Sequence, residues 1–415
     1  MRILEGQRAE LFVRRLESRG QTGLGQVEAW ARRVVRDVRT QGDRALRRYA
    51  ERLDGLGKDQ PIGVPADEMQ RAWDEAAPEF RTALERAAAN IRRFCEWQKP
   101  AEWRREALPG VFVGQIVRAL RSVGCYVPGG RAPLPSTLLM SVIPAQVAGV
   151  REIRIVSPRP ARETLAAAAF LGVGEFYRVG GAQAIAALAY GTESLPRVEK
   201  VVGPGNSYVT AAKRLVALDC AIDMLAGPTE VVIVANQGQP DFIAADLVAQ
   251  AEHDPDAIAI LVTTSWTLAR SVAGEVNRRC RRNPTARASL LRNGAILVTR
   301  SPEEATAVAN RIAPEHLTIG RNQLRAVQNA GSVFLGEWSP QAAGDYVVGP
   351  NHVLPTGGAA RFRGGLSVLD FVKLISVQEL SPAGLKSLAP VITTLAQAEG
   401  LAAHADSIRV RCGDA

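Results

Sequence analysis

Gln250 and His253 stand three residues apart in the stretch "AQAEHDPDA", where an apolar helical run meets Pro255. Positions i and i+3 share a helical face, so both side chains reach toward one point, and the proline ends the helix just beyond them. An imidazole nitrogen with amide and carboxylate oxygens suits a borderline cation such as Zn²⁺ rather than a thiolate-seeking one. Two ligands do not fill a shell, so Asp345 and one or more of the remaining histidines would have to complete it. The chain has only four histidines, His253, His316, His352 and His404, in the phrases "QAEHDPD", "APEHL", "AGDYVVGPNHVLPT" and "AEGLAAH". Each has a carboxylate or carboxamide for a near neighbour. A single histidine is ordinarily structural; four in such settings, with none elsewhere, point to chemistry.

These residues need a scaffold, and the hydrophobic pattern supplies one. The first hundred residues read as helix, with long periodic runs at about Val27 to Leu53 and Ala66 to Gln98. A β-rich passage, "FVGQIVRALRSVGCYVPGG", follows. Strands ("REIRIVS", "EFYRVG", "KVVGPG") then alternate with helices ("ARETLAAAAFLG", "AQAIAALAYG", "NSYVTAAKRLVAL"), the signature of a parallel sheet with crossover helices. A second series runs from "EVVIVA" through "DFIAADLVAQAEH", "AIAILVTTS", a helix near Arg270 to Arg282, "AILVTR" and "EEATAVANRIA" to "SVFLG". After Ser381 the chain returns to helix. The expectation is an α/β protein with two Rossmann-like units and small helical extensions at both ends. Residues 1–125 form a helical region packing with the second unit, 126–230 the first, cofactor-side unit, 231–380 the second unit with the zinc and catalytic residues, and 381–415 a helical tail.

Glycine-rich turns end several strands: Gly129-Gly130, Gly180-Gly181 and Gly203-Pro204-Gly205. Free backbone N–H groups at such turns suit a phosphate or dinucleotide. None completes GxGxxG, and glycines that merely make tight βα turns explain the pattern equally well.

Composition removes several classes of function. A net charge of +9 raises nucleic-acid binding, but the arginines of the N-terminal helices are interleaved with Asp and Glu, and aromatics are only 5% of the chain, so stacking platforms are missing. No apolar run approaches bilayer length and "MRILEGQRAE" lacks the apolar core of a signal peptide, so neither membrane nor secretion is expected and the cytoplasm is the expected place. The five cysteines, Cys95, Cys125, Cys220, Cys280 and Cys412, show no CxxC spacing and read as reduced thiols.

The phrases "YVPGGRAPLPSTLLM", "VGGAQAIAALAYGTES", "VVGPGNSYVTAAKR", "IDMLAGPTEV", "DLVAQAEHDPDA", "APEHL", "GSVFLGEWSPQAAGDYVVGPNHVLPT" and "VQELS" together resemble the histidinol dehydrogenase family, in order and over nearly the whole chain from "GDRALRRYAERLDG" onward. The resemblance implies two intertwined Rossmann-like units, aldehyde-dehydrogenase-like, in a homodimer with shared active sites. It also implies oxidation of L-histidinol to L-histidine through L-histidinal, with two NAD and one Zn²⁺ per subunit, as the last step of histidine biosynthesis. Carried onto this chain, Gln250, His253, Asp345 and His404 would hold zinc, and Glu315 and His316 would be the acid–base pair. Thr229, His352 and Glu399, with the zinc ligands and His316, would meet substrate; Tyr126, Gln183 and Asn206 would meet the cofactor.

An imidazole titrating near neutrality, such as His316, suits removal of a hydroxyl proton during hydride transfer. The aldehyde step needs an activated water, for which Glu315 is placed, or a thiol, for which Cys125 is the residue to consider. Zinc against Asp345, Glu315 and Glu399 leaves the site about one negative charge from neutral, which an ammonium would balance. Glu399 and His404 are five apart, so the helix carrying them should bend near Gly400 or they approach from different directions. Departures from the family pattern are Leu225 for proline, Thr229 for serine and Leu134 for an aromatic; threonine keeps the hydroxyl. An alternative is a family member acting on another small alcohol such as a sulfonated diol, for which Arg361 and Arg363 would supply cationic contacts.

Overall fold

Gly42, at φ +53°, splits the first helical run, and Pro78 opens a new helix within the second. The computed structural model describes residues 1–19, 25–129 and 133–413; Gly130 of the first glycine turn lies outside them. The chain opens with strand β1 (Arg2–Glu5) and helices α1 (Gly6–Glu17), α2 (Gly25–Gln41) and α3 (Asp43–Tyr49). A π-helical turn at Ala50–Asp54 follows, then α4 (Ala66–Asp74), α5 (Pro78–Gln98), β2 (Trp103–Leu108) and β3 (Val111–Ala119).

The first α/β unit comprises β4 (Ser122–Tyr126), α6 (Pro135–Ala148), β5 (Glu152–Val156), α7 (Arg162–Phe170), β6 (Glu175–Tyr177), α8 (Gly181–Tyr190), β7 (Lys200–Val202), α9 (Ser207–Val216) and β8 (Ala221–Ile222). Its five strands are all parallel, in the order β6-β5-β4-β7-β8. Helix α6 is apolar nearly all round and almost wholly buried, as such a helix must be.

The second unit comprises β9 (Glu230–Val234), α10 (Pro240–Ala251), β10 (Ile258–Thr263), α11 (Trp266–Arg279), α12 (Pro284–Arg292), β11 (Ala295–Val298), α13 (Pro302–Ile312), β12 (His316–Ile319), β13 (Ser332–Leu335) and α14 (Gln341–Tyr346). Its sheet has the order β1-β11-β10-β9-β12-β13, again all parallel. Strands β9 and β10 are buried at every residue, which is why they read as continuous apolar runs rather than alternating ones. Strand β14 (Val372–Leu380) and helices α15 (Pro382–Ala398) and α16 (Ala402–Cys412) end the chain.

The boundaries differ from the sequence expectation in three ways. Only β1 and α1 of the N-terminal region pack on the second unit. Helices α2 and α3 lie against α8 and α9, α4 against α7 and α5 against α6, so the bulk of that region covers the first unit. Amphipathic helices bury their apolar stripe against whichever sheet has an open face, and their sequence does not name it. The first sheet begins at Ser122, before residue 126. The segment after His352 leaves the second unit: Val353, Leu366, Val368 and Phe371 join the core around α6, and β14 pairs antiparallel with β3 in a third sheet, β14-β3-β2. The two units are thus interwoven by the chain's return. Among the described residues, no helix is long and apolar enough to cross a membrane.

Candidate active site

Thr229 leads into β9, while Glu315 and His316 stand at the start of β12, its hydrogen-bonded neighbour, where His316 pairs in register with Val231. Gln250 occupies the last turn of α10, and His253 follows its end. In a crossover unit the helix runs opposite to the strands, so the end of α10 arrives at the edge where the strands begin. Asp345 lies on α14, and His352 on the segment after it.

A hydrogen-bond relay links these groups. Gln250 Nε2 donates to Thr229 Oγ1, Thr229 Oγ1 donates to Glu315 Oε2, and the Glu230 N–H donates to that same oxygen at 2.9 Å. His316 Nδ1 lies 3.2 Å from the Glu230 carbonyl and 3.6 Å from Glu315 Oε2. A carbonyl only accepts, so Nδ1 carries a proton, and Nε2 faces away from this contact. Nε2 is buried, makes no hydrogen bond and lies 3.4 Å from Asp345 Oδ1. His352 is fixed similarly: Nδ1 sits 2.7 Å from the Asp345 carbonyl, and Nε2 3.2 Å from Thr137 Oγ1 at the start of α6. A cavity of about 220 Å³ opens here, lined by His316, Phe334, Trp338, Asp345, His352 and Leu354.

Charge follows from this packing. Burial alone would push the His316 imidazole down, but the Glu315 charge and the Asp345 carboxylate outweigh it and raise its pKa to about 10. Burial would likewise raise Asp345, yet His316, and then the charges of His352 and His253, hold it below the ordinary carboxylate range. Burial pushes His352 down, toward the neutral ring. Glu230 is pushed up by burial, against the pull of the Arg19 guanidinium.

The donors Gln250, His253 and Asp345 are an amide, an imidazole and a carboxylate, a set that fits zinc. Among the described residues no group of three or more His, Cys, Asp or Glu is spaced to hold a metal. His404 does not join the other three. It and Glu399 are exposed on the α15–α16 hairpin, whose main contacts are internal and with β14, and no hydrogen bond or ion pair ties either to the rest of the set. Gly400, at φ +73°, turns the chain between them, so the expected bend is present.

Tyr126, Gln183 and Asn206 sit at the opposite edge of the other sheet, where its strands end. Tyr126 Oη accepts from the Gly181 N–H at 3.2 Å. Gln183 is fully buried and its Nε2 donates to Asp54 Oδ2 at 3.0 Å, an oxygen that also accepts from the Gly180 N–H. Its Oε1 has no partner among the described residues. Asn206 caps α9, accepting from Tyr208 and Val209 N–H groups at 3.1 Å. Gly203 permits the backbone to close on β4, since a Cβ there would meet the Tyr126 carbonyl at 2.1 Å. An exposed amide and an unpartnered amide oxygen at this edge are compatible with a dinucleotide, although Gln183 as it stands supports the Gly180-Gly181 turn. Arg361 and Arg363 are engaged elsewhere, with the Arg311 carbonyl and Asp370, and do not line the cavity. Cys125 is fully buried in β4, and burial pushes its thiol far up.

Sequence reasoning missed Thr137, Glu230 and Arg19. The first two lie within "PSTLLM" and "AGPTEV", Thr137 three residues from Leu134 and Glu230 next to Thr229, so the signal was local; Arg19 meets Glu230 from 211 positions away and left none.

The comparisons with known proteins agree with one another. The family model described as histidinol dehydrogenase matches residues 17–412. Histidinol dehydrogenase of Geobacillus kaustophilus is 49% identical over 91% of this chain and 92% of its own length, and that of Methanothermobacter thermautotrophicus 47% identical over 92% of each. The crystal structure of histidinol dehydrogenase from Elizabethkingia anophelis superimposes with a TM-score of 0.94 at 35% identity, covering 99% of this chain and 98% of that one. With the motifs, both sheets and the buried Glu315-His316 pair all in place, this chain is an oxidoreductase and belongs to the histidinol dehydrogenase family.

Proposed function

We propose that the protein oxidises L-histidinol to L-histidine through L-histidinal, using two NAD and one zinc per subunit, as the last step of histidine biosynthesis in the cytoplasm. The observation that carries the reading is the buried His316, its Nδ1 held by the Glu230 carbonyl and its free Nε2 aimed into a cavity beside Asp345.

His316 Nε2 would take the hydroxyl proton of the alcohol, and NAD⁺, when bound, would accept the hydride from the carbinol carbon. Glu315, steadied by Thr229 and the Glu230 N–H, then removes a proton from the water that adds to the aldehyde. The hydrated aldehyde would then pass a second hydride to the second NAD⁺ and its two hydroxyl protons to the acid–base pair and solvent, leaving the carboxylate. When bound, zinc would supply Lewis acidity toward the substrate oxygen, and Asp345, engaged in holding it, would no longer help to keep His316 protonated. Gln250, His253 and Asp345 of one chain would hold it with His404. The buried Cys125 thiol is unsuited to forming a covalent adduct.

We further propose a homodimer in which the α15–α16 hairpin of each chain delivers Glu399 and His404 to its partner. Support comes from the separation of these residues from their own chain's site and from the apolar surface carried by this end of the molecule. Leu374, Ile375, Val377, Val391 and Leu395 are exposed on β14 and α15. The test is NADH formation with histidinol and zinc, compared with other small alcohols including a sulfonated diol; preference for the diol would overturn the substrate assignment.

A further inference from the structure

Glu230 touches both members of the acid–base pair through its backbone alone. Its N–H donates to Glu315 Oε2 at 2.9 Å, and its carbonyl faces His316 Nδ1 at 3.2 Å. Its side chain points away from the chemistry into a buried ion pair. Arg19 Nε and Nη2 meet the two carboxylate oxygens at 2.6 and 2.7 Å, with side-chain exposures of 13% for Arg19 and 1% for Glu230. The same Nη2 donates to the Ile312 carbonyl at 2.7 Å, and Nη1 to the Leu16 carbonyl at 2.5 Å. The Gly357 N–H, four residues beyond Val353, completes the set on Glu230 Oε1 at 2.9 Å.

One guanidinium therefore bridges three segments. They are the end of α1, the start of β9, and the turn that follows α13. That turn is a demanding one: Ala313 adopts φ +51°, unusual for a residue with a side chain, immediately before Pro314, Glu315 and His316. Helix α1 is itself fastened to α13 by Arg311, which pairs with Glu10 and Glu17 at 2.8 Å each. A buried ion pair is a weak contributor to stability, because desolvation of both charges offsets their attraction, and an apolar pair would hold α1 in place as well. What it provides is fixed geometry.

We propose that Arg19 and Glu230 form a clamp that sets the positions of Glu315 and His316, making Arg19, just beyond the end of α1, a positioning residue for the oxidation. This rests on Glu315 and His316 being the acid–base pair. Losing the guanidinium leaves Glu230 unpaired and frees the Ile312 carbonyl, so the Glu230 backbone and the Ala313 turn shift relative to each other. Displacements of about an ångström at a reacting group cost on the order of 100-fold in rate.

The experiment is steady-state kinetics on zinc-loaded Arg19→Ala, with metal content and thermal midpoint measured on the same sample, and His316→Ala run alongside. The expected result is a kcat lowered roughly 10- to 100-fold in both half-reactions, with KM for NAD and zinc per chain within about twofold of the parent. Arg19→Lys keeps the charge but cannot bridge Glu230 and the Ile312 carbonyl together, so it recovers only part, and added guanidinium restores activity to Arg19→Ala. A purely structural role would lower the fraction of folded, zinc-loaded chain and leave kcat per loaded site unchanged; that outcome overturns the proposal. If Arg19→Ala does not fold, Arg19→Lys decides on the same criterion. Loss in His316→Ala with an unchanged kcat in the Arg19 variants removes the clamp alone, whereas full activity in His316→Ala removes the acid–base reading, and the clamp with it.

Discussion

His316 Nε2 faces Asp345 Oδ1 across 3.4 Å and makes no hydrogen bond. A buried nitrogen with an open lone pair or proton, beside a carboxylate that also feels His253 and His352, is a group held ready for something else. The substrate hydroxyl of the proposed reaction fits that description.

Chelation should therefore remove zinc and NADH production together, and returned zinc should restore both. His253 is exposed and its side chain makes no hydrogen bond among the described residues, so His253→Asn should lower zinc content while the thermal midpoint of the chelated protein stays within a few degrees, a shift corresponding to about 1 kcal/mol or less. Full activity in a verified metal-free sample sinks the assignment.

The two oxidations should separate at Glu315. Glu315→Gln keeps an oxygen for the Thr229 hydroxyl and the Glu230 N–H but cannot accept a proton from water. Oxidation of histidinal should fall by roughly 100-fold or more, the usual range for a lost general base, with histidinol oxidation falling less; His316→Ala should impair both. Supplying each substrate separately and following NADH measures it, and equal losses for Glu315→Gln would remove its special role.

Exchange of the tail predicts complementation. His404→Asn and His316→Ala chains, each inactive alone, are unfolded and refolded together. In a heterodimer with exchanged hairpins, one site receives an intact body and an intact tail while the other collects both lesions, so activity returns in up to one site per heterodimer. No rescue, with heterodimers verified by differential tags, would leave His404 serving its own subunit.

The thiols give a pH-dependent control. Burial raises Cys95 to about 11 and Cys125 further still, so at pH 8 neither carries appreciable thiolate, whereas Cys412 is only half-buried. An alkylating reagent at pH 8 should modify Cys412 first and leave activity intact. Cys125→Ala should cost about 1 kcal/mol of stability through lost packing and leave kcat per folded chain unchanged, as followed by thermal denaturation and NADH formation. Inactivation that tracks labelling of Cys125 would reopen covalent catalysis.

Much of this could be read from the sequence, for identifiable reasons. Strands such as β9 and β10 are apolar throughout because they are covered on both faces, and the crossover helices between them are bounded by capping residues such as Asn206, Ser265 and Ser301. Strand β2 was not legible: all six of its residues are exposed, so no burial pattern marks it. The packing of α2 to α5 on the first unit, and the return of Val353 to Phe371 to its core, depend on which faces were left open by distant parts of the chain. The same holds for the site. Gln250 and His253 share a helix end and announce themselves by spacing, whereas Thr137 and Arg19 arrive from other elements, and no local pattern encodes their meeting with His352 and Glu230.

The candidate residues lie at opposite edges of the two sheets, and the helices make those edges electrically unlike. Where the first sheet's strands end, α8 and α9 begin, presenting the positive ends of their peptide dipoles beside Tyr126 and Asn206. Where the second sheet's strands begin, α10 and α13 finish, presenting negative ends beside Gln250, His253 and Glu315. The fold by itself therefore sorts its visitors by sign. If NAD and zinc bind as proposed, the positive helix ends would meet the pyrophosphate and the negative ends the metal ion and the ammonium.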